Sequence, residues 1–556
     1  MAEFFTHAPY TDASHSNFNT VGGNQYNTYV NQSLEEENIL ATLKPAGRGG
    51  YVPQCMEGTR MDILKKVDGW LDNVDVPNIL WISGSPGAGK SAIASTLISK
   101  LAKQRRLGSS FFFKRGHASL GDPTTLWRTV ASDLARFHPD VKLSLIEFLN
   151  TGGSRHDDIG LHFECMIEEP LRKNNEKLSI NPPVVVLDAL DECGSDISQS
   201  AQRHILLDTL TRWSQLPRLF KLVVTSRGER VPRSFYDVSV CHHIVLETGD
   251  SVSTETTNDV RVFFEKSFAK IVELYPSLSP TWPEKAVIDQ LTTRAAGLFI
   301  WAKTAMAFME EEEGIPNTQL KLILNGELGY GRNNIDTLYQ QILDVSFKDC
   351  KDAMLEAFRA VVGAIVVSKM PLHRDDLKFF LGRGGYDDET KWDSVLQKLS
   401  SVISKGELDG LLRIRHLSFA EFLGDAGRCR ECFIIDRSAQ SQSLALACLQ
   451  LMNGALKFNI CNLGTSYLRN DSVEDLPSRI RKAIPTRLSY PCRFWAAHLR
   501  DSTGERRYND ELLNEISNFL RFHLLYWLEV LSLIKEVPVA SPALIVVARW
   551  AAVSFM

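Results

Sequence analysis

An apolar run, a glycine-rich octapeptide and a helix-forming segment follow one another early in this 556-residue chain. The apolar run is Asn78–Ser83 (NILWIS), and Ser91–Gln104 carries isoleucine and leucine at helical spacing. Glycines let backbone N–H groups wrap around phosphate oxygens, and a helix that starts there adds favourable partial charge. The octapeptide between them fits the pattern GxxxxGK[ST] and therefore predicts a phosphate-binding loop, made of Gly84, Ser85, Pro86, Gly87, Ala88, Gly89, Lys90 and Ser91.

Lys90 and Ser91 are the side chains of this loop with direct chemistry toward a nucleotide. The Lys90 ammonium is predicted to reach the β- and γ-phosphates, and the Ser91 hydroxyl is predicted to ligate Mg²⁺. The pattern does not distinguish the base, so the predicted ligand is ATP or GTP with magnesium. A chance glycine-rich turn is the alternative interpretation, and the flanking strand and helix argue against it.

An acidic cluster follows a second apolar strand further along the chain. Pro183–Asp188 (PVVVLD) is almost wholly apolar up to its last residue, an aspartate at the C-terminal end of the strand. Asp188 is therefore predicted to hold the water shell of Mg²⁺. Asp191 and Glu192 follow one turn later, and either carboxylate could polarise the attacking water as a general base.

An arginine follows the next predicted strand, Phe220–Ser226 (FKLVVTS). Ligands of an open parallel sheet bind at the C-terminal ends of its strands. Arg227 is therefore predicted to detect whether a γ-phosphate is present and to take part in catalysis. A cation in solvent at the end of a strand is the alternative interpretation.

Strands and helices alternate from about residue 55 to residue 245, and helical periodicity dominates after residue 255. Ser109–Lys114 (SSFFFK) is a further predicted strand. Continuous β-branched runs that alternate with helices indicate a parallel sheet covered on both faces. The predicted fold class is α/β, a P-loop NTPase parallel sheet with helical layers, followed by mostly helical domains.

The composition is that of a globular chain, with 44% hydrophobic and 23% charged residues. Lys and Arg number 62 against 67 Asp and Glu, and the absence of a basic surplus argues against a nucleic-acid partner. No run of about 18 uncharged apolar residues predicts a membrane span. Ten scattered cysteines and the lack of a secretory signal predict a soluble, cytoplasmic protein with free thiols.

Residues 1–33 differ from the rest of the chain. They are rich in Asn, Thr, Ser, Gly and Tyr and show no helical period. A disordered leader is the favoured interpretation, because such a segment cannot bury enough apolar surface to fold. The alternative is a short β-prone segment that pairs with itself, since polar stretches interleaved with aromatic residues can form cross-β structure.

These motifs together resemble the NACHT class of signal-transduction ATPases with numerous domains (STAND), in the fungal form called nephrocystin-3-like. The resemblance covers about residues 50–535. The segment Cys55–Trp70 is similar to the one that precedes the phosphate loop in this family. The resemblance implies that Thr59 and Arg60 lie near the nucleotide base.

Three further segments carry the resemblance. FFFKRG (111–116) is similar to the second strand of the family, and GLFIWA (297–302) is similar to the helical segment that closes over the nucleotide. Phe299 stands where relatives often have a proline. RHLSFAEFL (415–423) is similar to the winged-helix sensor motif, which implies that His416 holds the β-phosphate of ADP. The alternative is a core histidine on an amphipathic helix.

The resemblance implies a succession of domains, with the nucleotide between the nucleotide-binding domain and the winged helix. The segments are a leader and linker (1–50), a NACHT nucleotide-binding domain (51–245), a helical lid (246–330), a winged-helix-like domain (331–425), a helical domain (426–536) and a C-terminal tail (537–556).

The predicted function is a nucleotide-dependent signalling switch that is closed with ADP and open with ATP. The resemblance implies slow NTP hydrolysis, homo-oligomers on activation, an unidentified effector, and fungal innate-immunity or incompatibility-type signalling. The alternatives are a metabolic or nucleic-acid-directed P-loop NTPase and a non-hydrolysing scaffold. No surface rich in basic and aromatic residues favours nucleic acid, and the intact Lys90, Ser91 and Asp188 argue against a scaffold.

Overall fold

The computed structural model describes most of the chain. The described residues are 28–47, 52–115, 117, 119–151, 158–194, 199–228, 231–310, 315–325, 334–348, 350, 352–383, 389–406, 410–465, 467–502 and 510–554. The first helix begins at Thr28, so residues 28–33 of the predicted leader are helical, and residues 1–27 lie outside the described residues. The self-pairing of that leader stays a prediction.

Helices account for most of the described residues. In chain order they are α1 (Thr28–Ala41), α2 (Met61–Leu71), α3 (Lys90–Lys103), α4 (Thr125–Phe137), α5 (Pro139–Asn150), α6 (Ile159–Phe163), α7 (Glu169–Lys173), α8 (Asn175–Leu178), α9 (Ser200–Trp213), α10 (Thr254–Leu274), α11 (Lys285–Ala295), α12 (Phe299–Met309), α13 (Pro316–Asn325), α14 (Asn334–Ser346), α15 (Asp352–Val367), α16 (Arg374–Arg383), α17 (Glu389–Lys398), α18 (Leu417–Leu423), α19 (Arg437–Ala455), α20 (Leu476–Ala483), α21 (Thr486–Asp501), α22 (Asp510–Asn518), α23 (Leu524–Leu533) and α24 (Ala540–Ser554).

A five-stranded parallel sheet forms the centre of the first half of the chain. Its strands are β1 (Ile79–Gly84), β2 (Leu107–Phe112), β3 (Val184–Asp188), β4 (Lys221–Ser226) and β5 (Cys241–Leu246). They lie in the order β2-β3-β4-β1-β5, and Ile79 of β1 pairs with Leu222 on one side and Cys241 on the other. The sheet confirms the predicted α/β fold class and brings the C-terminal ends of all five strands to one edge.

Strand β5 is absent from the sequence prediction, whereas β1 to β4 lie at or near their predicted places. Its sequence is CHHIVL, and three of its residues (Cys241, Ile244 and Leu246) are buried while the other three are exposed, as expected for a strand at the edge of a sheet. A continuous apolar run is the sequence signal of the fully buried strands, and in β5 His242 and His243 break such a run. His243 is accommodated because its ring stacks on Trp81, with 3.9 Å between centroids, and bonds to Ser83 Oγ at 2.7 Å.

Side chains on the two faces of the sheet enter two separate cores. Leu80 and Ile82 of β1 pack with apolar residues of α2 and α3, whereas Ile79 and Trp81 pack with residues of α4, α5 and α9. This alternation follows from the two-residue period of a strand. Both faces are therefore covered by helices, which explains why β1, β3 and β4 consist of almost continuous apolar residues.

A third core occupies the mostly helical second half and includes buried residues from Val260 to Val547. It also contains a small antiparallel sheet of β6 (Leu372–His373), β7 (Ile403–Lys405) and β8 (Leu411–Ile414), in the order β6-β8-β7. Helix α18 follows β8 directly and returns toward the large sheet. The domain bounds within this half stay predictions. Among the helices of the described ranges, none is long and apolar enough to cross a membrane.

Candidate nucleotide-binding site

The glycine-rich loop connects β1 to α3, as the sequence predicts. Gly87 and Gly89 have φ angles of 85° and 97°, in the left-handed region that favours glycine. The Lys90 ammonium donates hydrogen bonds to the carbonyl oxygens of Gly84 at 2.7 Å and Ser85 at 3.0 Å. Burial lowers the pKa of Lys90, and the nearby carboxylates of the acidic cluster oppose that shift. The loop and the acidic cluster therefore lie within electrostatic reach of each other.

The two predicted magnesium ligands come together at the end of β3. Asp188 is buried and accepts a hydrogen bond from Thr225 Oγ1 at 2.5 Å. Burial raises the pKa of Asp188, while bonds from Thr225 and the Ser91 hydroxyl and the charge of Lys90 lower it. The structure thus brings Ser91 and Asp188 into contact.

A hydroxyl and a carboxylate are hard oxygen donors, which fit Mg²⁺. This ion commonly uses one or two protein ligands and completes its shell with water and phosphate. No group of three or more His, Cys, Asp or Glu that could hold a metal ion occurs among the residues that the structure describes. The site therefore has the donor set of a nucleotide-bound Mg²⁺ and not that of an all-protein metal cage.

Asp191 and Glu192, which the sequence leaves as equal candidates for the general base, have different surroundings. They follow Ala189, whose φ of 57° turns the chain sharply after β3. Asp191 is buried and accepts from the Arg227 backbone N–H at 3.0 Å, and the Arg227 Nε lies 3.1 Å from its carboxylate. Glu192 accepts from the Arg115 backbone N–H at 3.0 Å, and burial raises its pKa, with a further contribution from the charge of Asp191.

Arg227 contacts two carboxylates, Asp191 after β3 and Glu421 of α18, and we refer to the region between the sheet edge and α18 as the cleft. Its Nη2 donates to Glu421 Oε1 of α18 at 2.9 Å, in addition to the contact with Asp191. Arg115, which follows β2, lies 3.7 Å from the same Glu421 oxygen. The ends of β2 and β4 are thereby joined to α18 through one carboxylate.

His416 is the N-cap of α18 and does not lie on a helix face. Its Nδ1 accepts from the Ser418 backbone N–H at 3.2 Å, and Ser418 Oγ lies 2.7 Å from Nδ1 and 2.8 Å from the Tyr339 hydroxyl. Burial, together with the positive charges of Lys90 and Arg227, lowers the pKa of His416 to about 4. The ring is therefore neutral at pH 7, and because Nδ1 accepts, its proton is on Nε2.

Arg60 connects the phosphate loop to the helices that follow the sheet. Its buried guanidinium donates to the Ala88 carbonyl at 2.6 Å and to Thr256 Oγ1 of α10 at 2.9 Å. It also lies 4.8 Å from the centroid of the Phe299 ring of α12. The resemblance implies that Arg60 lies near the nucleotide base. In the structure its contacts link the phosphate loop to α10 and α12, and we call this role a brace. Thr59, its neighbour, donates to the Met56 carbonyl.

The segment GLFIWA (297–302) touches the phosphate loop itself. The Ile300 backbone N–H donates to the Gly87 carbonyl at 3.1 Å. A Cβ atom at Gly87 would lie 1.9 Å from Ile300 Cγ2, so glycine is required here by contact as well as by its φ angle. Helix α12 therefore packs directly on the loop.

Glu421, Ile300 and Tyr339 have no role in the sequence prediction. Glu421 is the one acidic residue in the otherwise mainly apolar α18, and that break in the pattern is the signal that could have identified it. Ile300 lies in the segment GLFIWA, which the resemblance places over the nucleotide, but its individual contact with Gly87 and that of Tyr339 with Ser418 come from tertiary packing.

Comparison with known proteins adds independent findings. Residues 58–227 match the family model for the N-terminal region of nephrocystin 3, a range that contains every predicted site residue except His416. The chain is 23% identical over 489 residues to vegetative incompatibility protein HET-E-1 of Podospora anserina, which covers 84% of this chain and 34% of that protein. It therefore spans about a third of the length of this relative.

Two solved structures match the chain at low identity and low TM-score. One is a STAND protein with a tetratricopeptide repeat sensor from Pyrococcus horikoshii, at 13% identity and a TM-score of 0.39, covering 90% of this chain and 64% of that one. The other is the Aeropyrum pernix ORC2 protein, at 13% identity and a TM-score of 0.32, covering 70% and 96%.

Proposed function

We propose that this chain, a P-loop NTPase of the NACHT and STAND type, is a nucleotide-dependent signalling switch. It binds ATP or GTP with Mg²⁺, is closed with ADP and opens with the triphosphate. The observation that carries the proposal is the meeting of two distant parts of the sequence at one cleft. Arg227 pairs with Glu421 of α18, and the charges of Lys90 and Arg227 act on His416.

Nucleotide binding is supported by the phosphate loop and by the positive charge collected near it. Lys90 of α3, Arg227 after β4 and Lys303 of α12 all lower the pKa of His416. Each of these cations is therefore within electrostatic range of His416, and the carboxylates of Asp188, Asp191 and Glu192 are within electrostatic range of Lys90. A site with both signs of charge fits a nucleotide bound with Mg²⁺, because its cations would bind the phosphates and its carboxylates would bind the metal ion.

For hydrolysis, we assign the general base to Glu192. Its raised pKa increases its affinity for a proton, as a base that takes a proton from water requires. Asp191 is committed to Arg227 through two contacts and is assigned to orient that arginine. Ser91 and Asp188 would hold Mg²⁺, which when bound supplies positive charge to the phosphate oxygens. Slow turnover then resets the switch.

His416 is the proposed sensor of the diphosphate state. The proton on Nε2 of its neutral ring can be donated to a β-phosphate oxygen. The low pKa of His416 keeps its ring neutral at pH 7, so the donor is the neutral imidazole and not the imidazolium, which would form a stronger bond. A bond formed with ADP and crowded by a γ-phosphate provides the differential affinity that a switch requires.

The biological setting that we propose follows the relative. HET-E-1 is a vegetative incompatibility protein, and we assign this chain to incompatibility-type or innate-immunity signalling in a fungus. In that setting the triphosphate state assembles with further copies of the chain and engages a downstream effector. The succession of nucleotide-binding domain (51–245), lid (246–330), winged helix (331–425) and helical domain (426–536) is part of this proposal.

The mass of the purified protein in solution tests the proposal. Light scattering is expected to give a larger mass with Mg²⁺ and a non-hydrolysable ATP or GTP analogue than with ADP. Lys90→Ala is expected to give one mass under both conditions, since it lacks the phosphate contact. An unchanged mass for the wild type, with no nucleotide binding by calorimetry, would contradict the proposal.

A further inference from the structure

Glu421 occupies an unusual position at the junction of the two halves of the chain. It lies on α18, and its carboxylate contacts Arg227 at 2.9 Å and Arg115 at 3.7 Å. The three side chains are partly shielded, with exposed fractions of 21% for Glu421, 27% for Arg227 and 36% for Arg115. Fully exposed ion pairs contribute little to stability, and this one lies inside the cleft that carries the phosphate loop.

The packing of α18 does not depend on Glu421. Phe419, Phe422 and Leu423 are buried and anchor the helix in the third core. The helix is held further by polar contacts that do not involve Glu421, such as the bond from Arg437 to the Ala420 carbonyl at 2.6 Å. The carboxylate is therefore available for a role at the cleft rather than in the core.

The positive charge around Glu421 exceeds its own negative charge. Arg115 and Arg227 contact it, and Arg437, which binds the same helix, is close enough for Glu421 to raise its pKa against the effect of burial. Asp191 balances Arg227 on the other side of that guanidinium. Removal of Glu421 would leave the guanidinium donors that it occupies open to another anion, with Asp191 and Glu192 as the carboxylates that remain near them.

Arginine recognises carboxylate and phosphate oxygens through the same fork of N–H donors. The Arg227 N–H groups that bond to Glu421 cannot be offered to a phosphate at the same time. We propose that Glu421 is an internal mimic of the γ-phosphate: it holds Arg227 and Arg115 in the diphosphate state and must be displaced when a triphosphate binds. This inference rests on the proposed nucleotide switch and adds the residue that sets its preference for ADP.

The displacement couples nucleotide identity to the position of α18. A triphosphate that takes Arg227 from Glu421 removes the ion pair that joins the end of β4 to α18, whereas a diphosphate leaves that ion pair in place. The two nucleotides therefore stabilise different arrangements of the same cleft, which is the condition for a population shift.

Glu421→Gln tests the inference, because the substitution keeps the shape of the side chain and removes its charge. Dissociation constants for ADP and for ATPγS with Mg²⁺ are measured by calorimetry on the full chain. The ratio of the ADP to the ATPγS constant is expected to rise about tenfold, which corresponds to roughly 1.4 kcal/mol of differential affinity. The ratio is the readout because it cancels any effect of the substitution that both nucleotides share, such as a partial loss of folded protein.

Two further variants serve as controls. Glu431→Gln makes the same change of charge at an exposed residue of the same half of the chain and is expected to leave the ratio unchanged. Glu421→Asp keeps the carboxylate and is expected to hold the ratio within about threefold of the wild type.

Several outcomes would overturn the inference. An unchanged ratio in Glu421→Gln, or an equal change in both constants, would show that Glu421 does not compete with the γ-phosphate. Loss of both nucleotides in Glu421→Gln, with both retained in Glu421→Asp, would make Glu421 a structural residue. If the wild type and Lys90→Ala bind ATPγS equally, the proposed function itself fails and this inference with it.

Discussion

The two walls of the cleft are built in different ways. The first wall is the C-terminal edge of the parallel sheet, where Asp188 and Arg227 end or follow strands that are buried between two cores. The second wall is α18, a seven-residue helix that presents His416 and Glu421 at the end of a small antiparallel sheet. The strands of the first wall are hydrogen-bonded to neighbouring strands on both sides, and we call it the fixed wall. The second wall contacts the first through side chains, and we call it the movable wall because the proposed switch requires it to move.

This difference assigns a task to each wall. A site that must bind phosphates tightly benefits from groups that cannot move, and strand ends in a central sheet provide them. A site that must respond to the nucleotide needs a part that can move without unfolding, and in the switch that we propose α18 shifts relative to the sheet, together with the core that holds it, when the ion pair of Arg227 and Glu421 breaks. In the proposed switch, the sheet edge binds the nucleotide and α18 responds to it.

The largest expected effect is loss of binding at the fixed wall. Lys90→Ala removes the ammonium that is expected to form two charge-assisted bonds with phosphate, each worth roughly 1.5–3 kcal/mol. Calorimetry is expected to show affinity for ADP and ATPγS that is weaker by more than about 100-fold. Lys103→Ala, at an exposed position near the end of the same helix, is the matched control and should bind like the wild type. Equal binding by Lys90→Ala would remove the basis of the site.

The next effect separates the two acids that follow β3. Glu192→Gln is expected to slow turnover by about 100-fold or more, since general base catalysis contributes on that scale. Nucleotide affinity should change little, because Glu192 bonds to the Arg115 backbone and not to the phosphate loop. Asp191→Asn is the comparison: it loosens Arg227 and should also weaken discrimination between ADP and ATPγS. Wild-type turnover in Glu192→Gln would move the base to another residue.

A third test breaks the contact between the fixed wall and α12. Gly87→Ala requires a left-handed residue to carry a Cβ that would lie 1.9 Å from Ile300 Cγ2. Backbone strain and overpacking together are expected to lower the free energy of unfolding by about 2–4 kcal/mol in urea denaturation. Gly69→Ala in α2, where the new methyl group meets no atom within 4 Å, is expected to be neutral or slightly stabilising. A neutral Gly87→Ala would mean that α12 does not pack on the loop.

His416→Asn sharpens the comparison at the movable wall. Asparagine can cap α18 as His416 does, so the helix should persist, but the donor on Nε2 is lost. ADP affinity is expected to fall by about tenfold, the low end of the range for a bond to a charged group. ATPγS affinity should fall by less. Equal weakening of both nucleotides would make His416 a cap and nothing more.

The pH dependence of stability gives the smallest expected effect. The pKa of His416 is about 4 in the folded chain and about 6.5 in an unfolded chain, so the unfolded state binds more protons between these values. Stability should therefore fall as pH drops from 7 to 5, and this residue should contribute about 1–2 kcal/mol of that loss. His416→Asn removes the contribution, and urea denaturation at both pH values measures it. An identical pH dependence in both proteins would show that His416 is not held neutral.

Local patterns were sufficient to predict the fixed wall. Short sequence segments identify three of its parts: the loop Gly84–Ser91, the strand before Asp188 and the strand before Arg227. Buried parallel strands require apolar residues and phosphate loops require glycines, so each can be recognised from a few residues. The sequence does not predict the edge strand β5, because CHHIVL is partly exposed to solvent and carries two histidines.

The movable wall could be predicted in part. The motif around His416 was recognisable, but its N-cap position and neutral state depend on contacts with Ser418 and on the charges of Lys90 and Arg227. The contact between Arg227 and Glu421 joins residues that are 194 positions apart, and no local period encodes it. The role of Arg60 as a brace likewise depends on tertiary contacts, its hydrogen bonds to Thr256 and to the Ala88 carbonyl, which the sequence does not predict.

Hydrogen–deuterium exchange of α18 tests the central claim most directly. The wild-type chain is compared with saturating ADP and with saturating Mg²⁺ and ATPγS, and exchange is followed in Leu417–Leu423 and in Lys90–Lys103 of α3. The two-wall account predicts that both nucleotides protect α3 equally, while ATPγS raises exchange in α18 above the level seen with ADP. Equal protection of α18 with the two nucleotides would contradict it, because the helix would then be as fixed as the sheet.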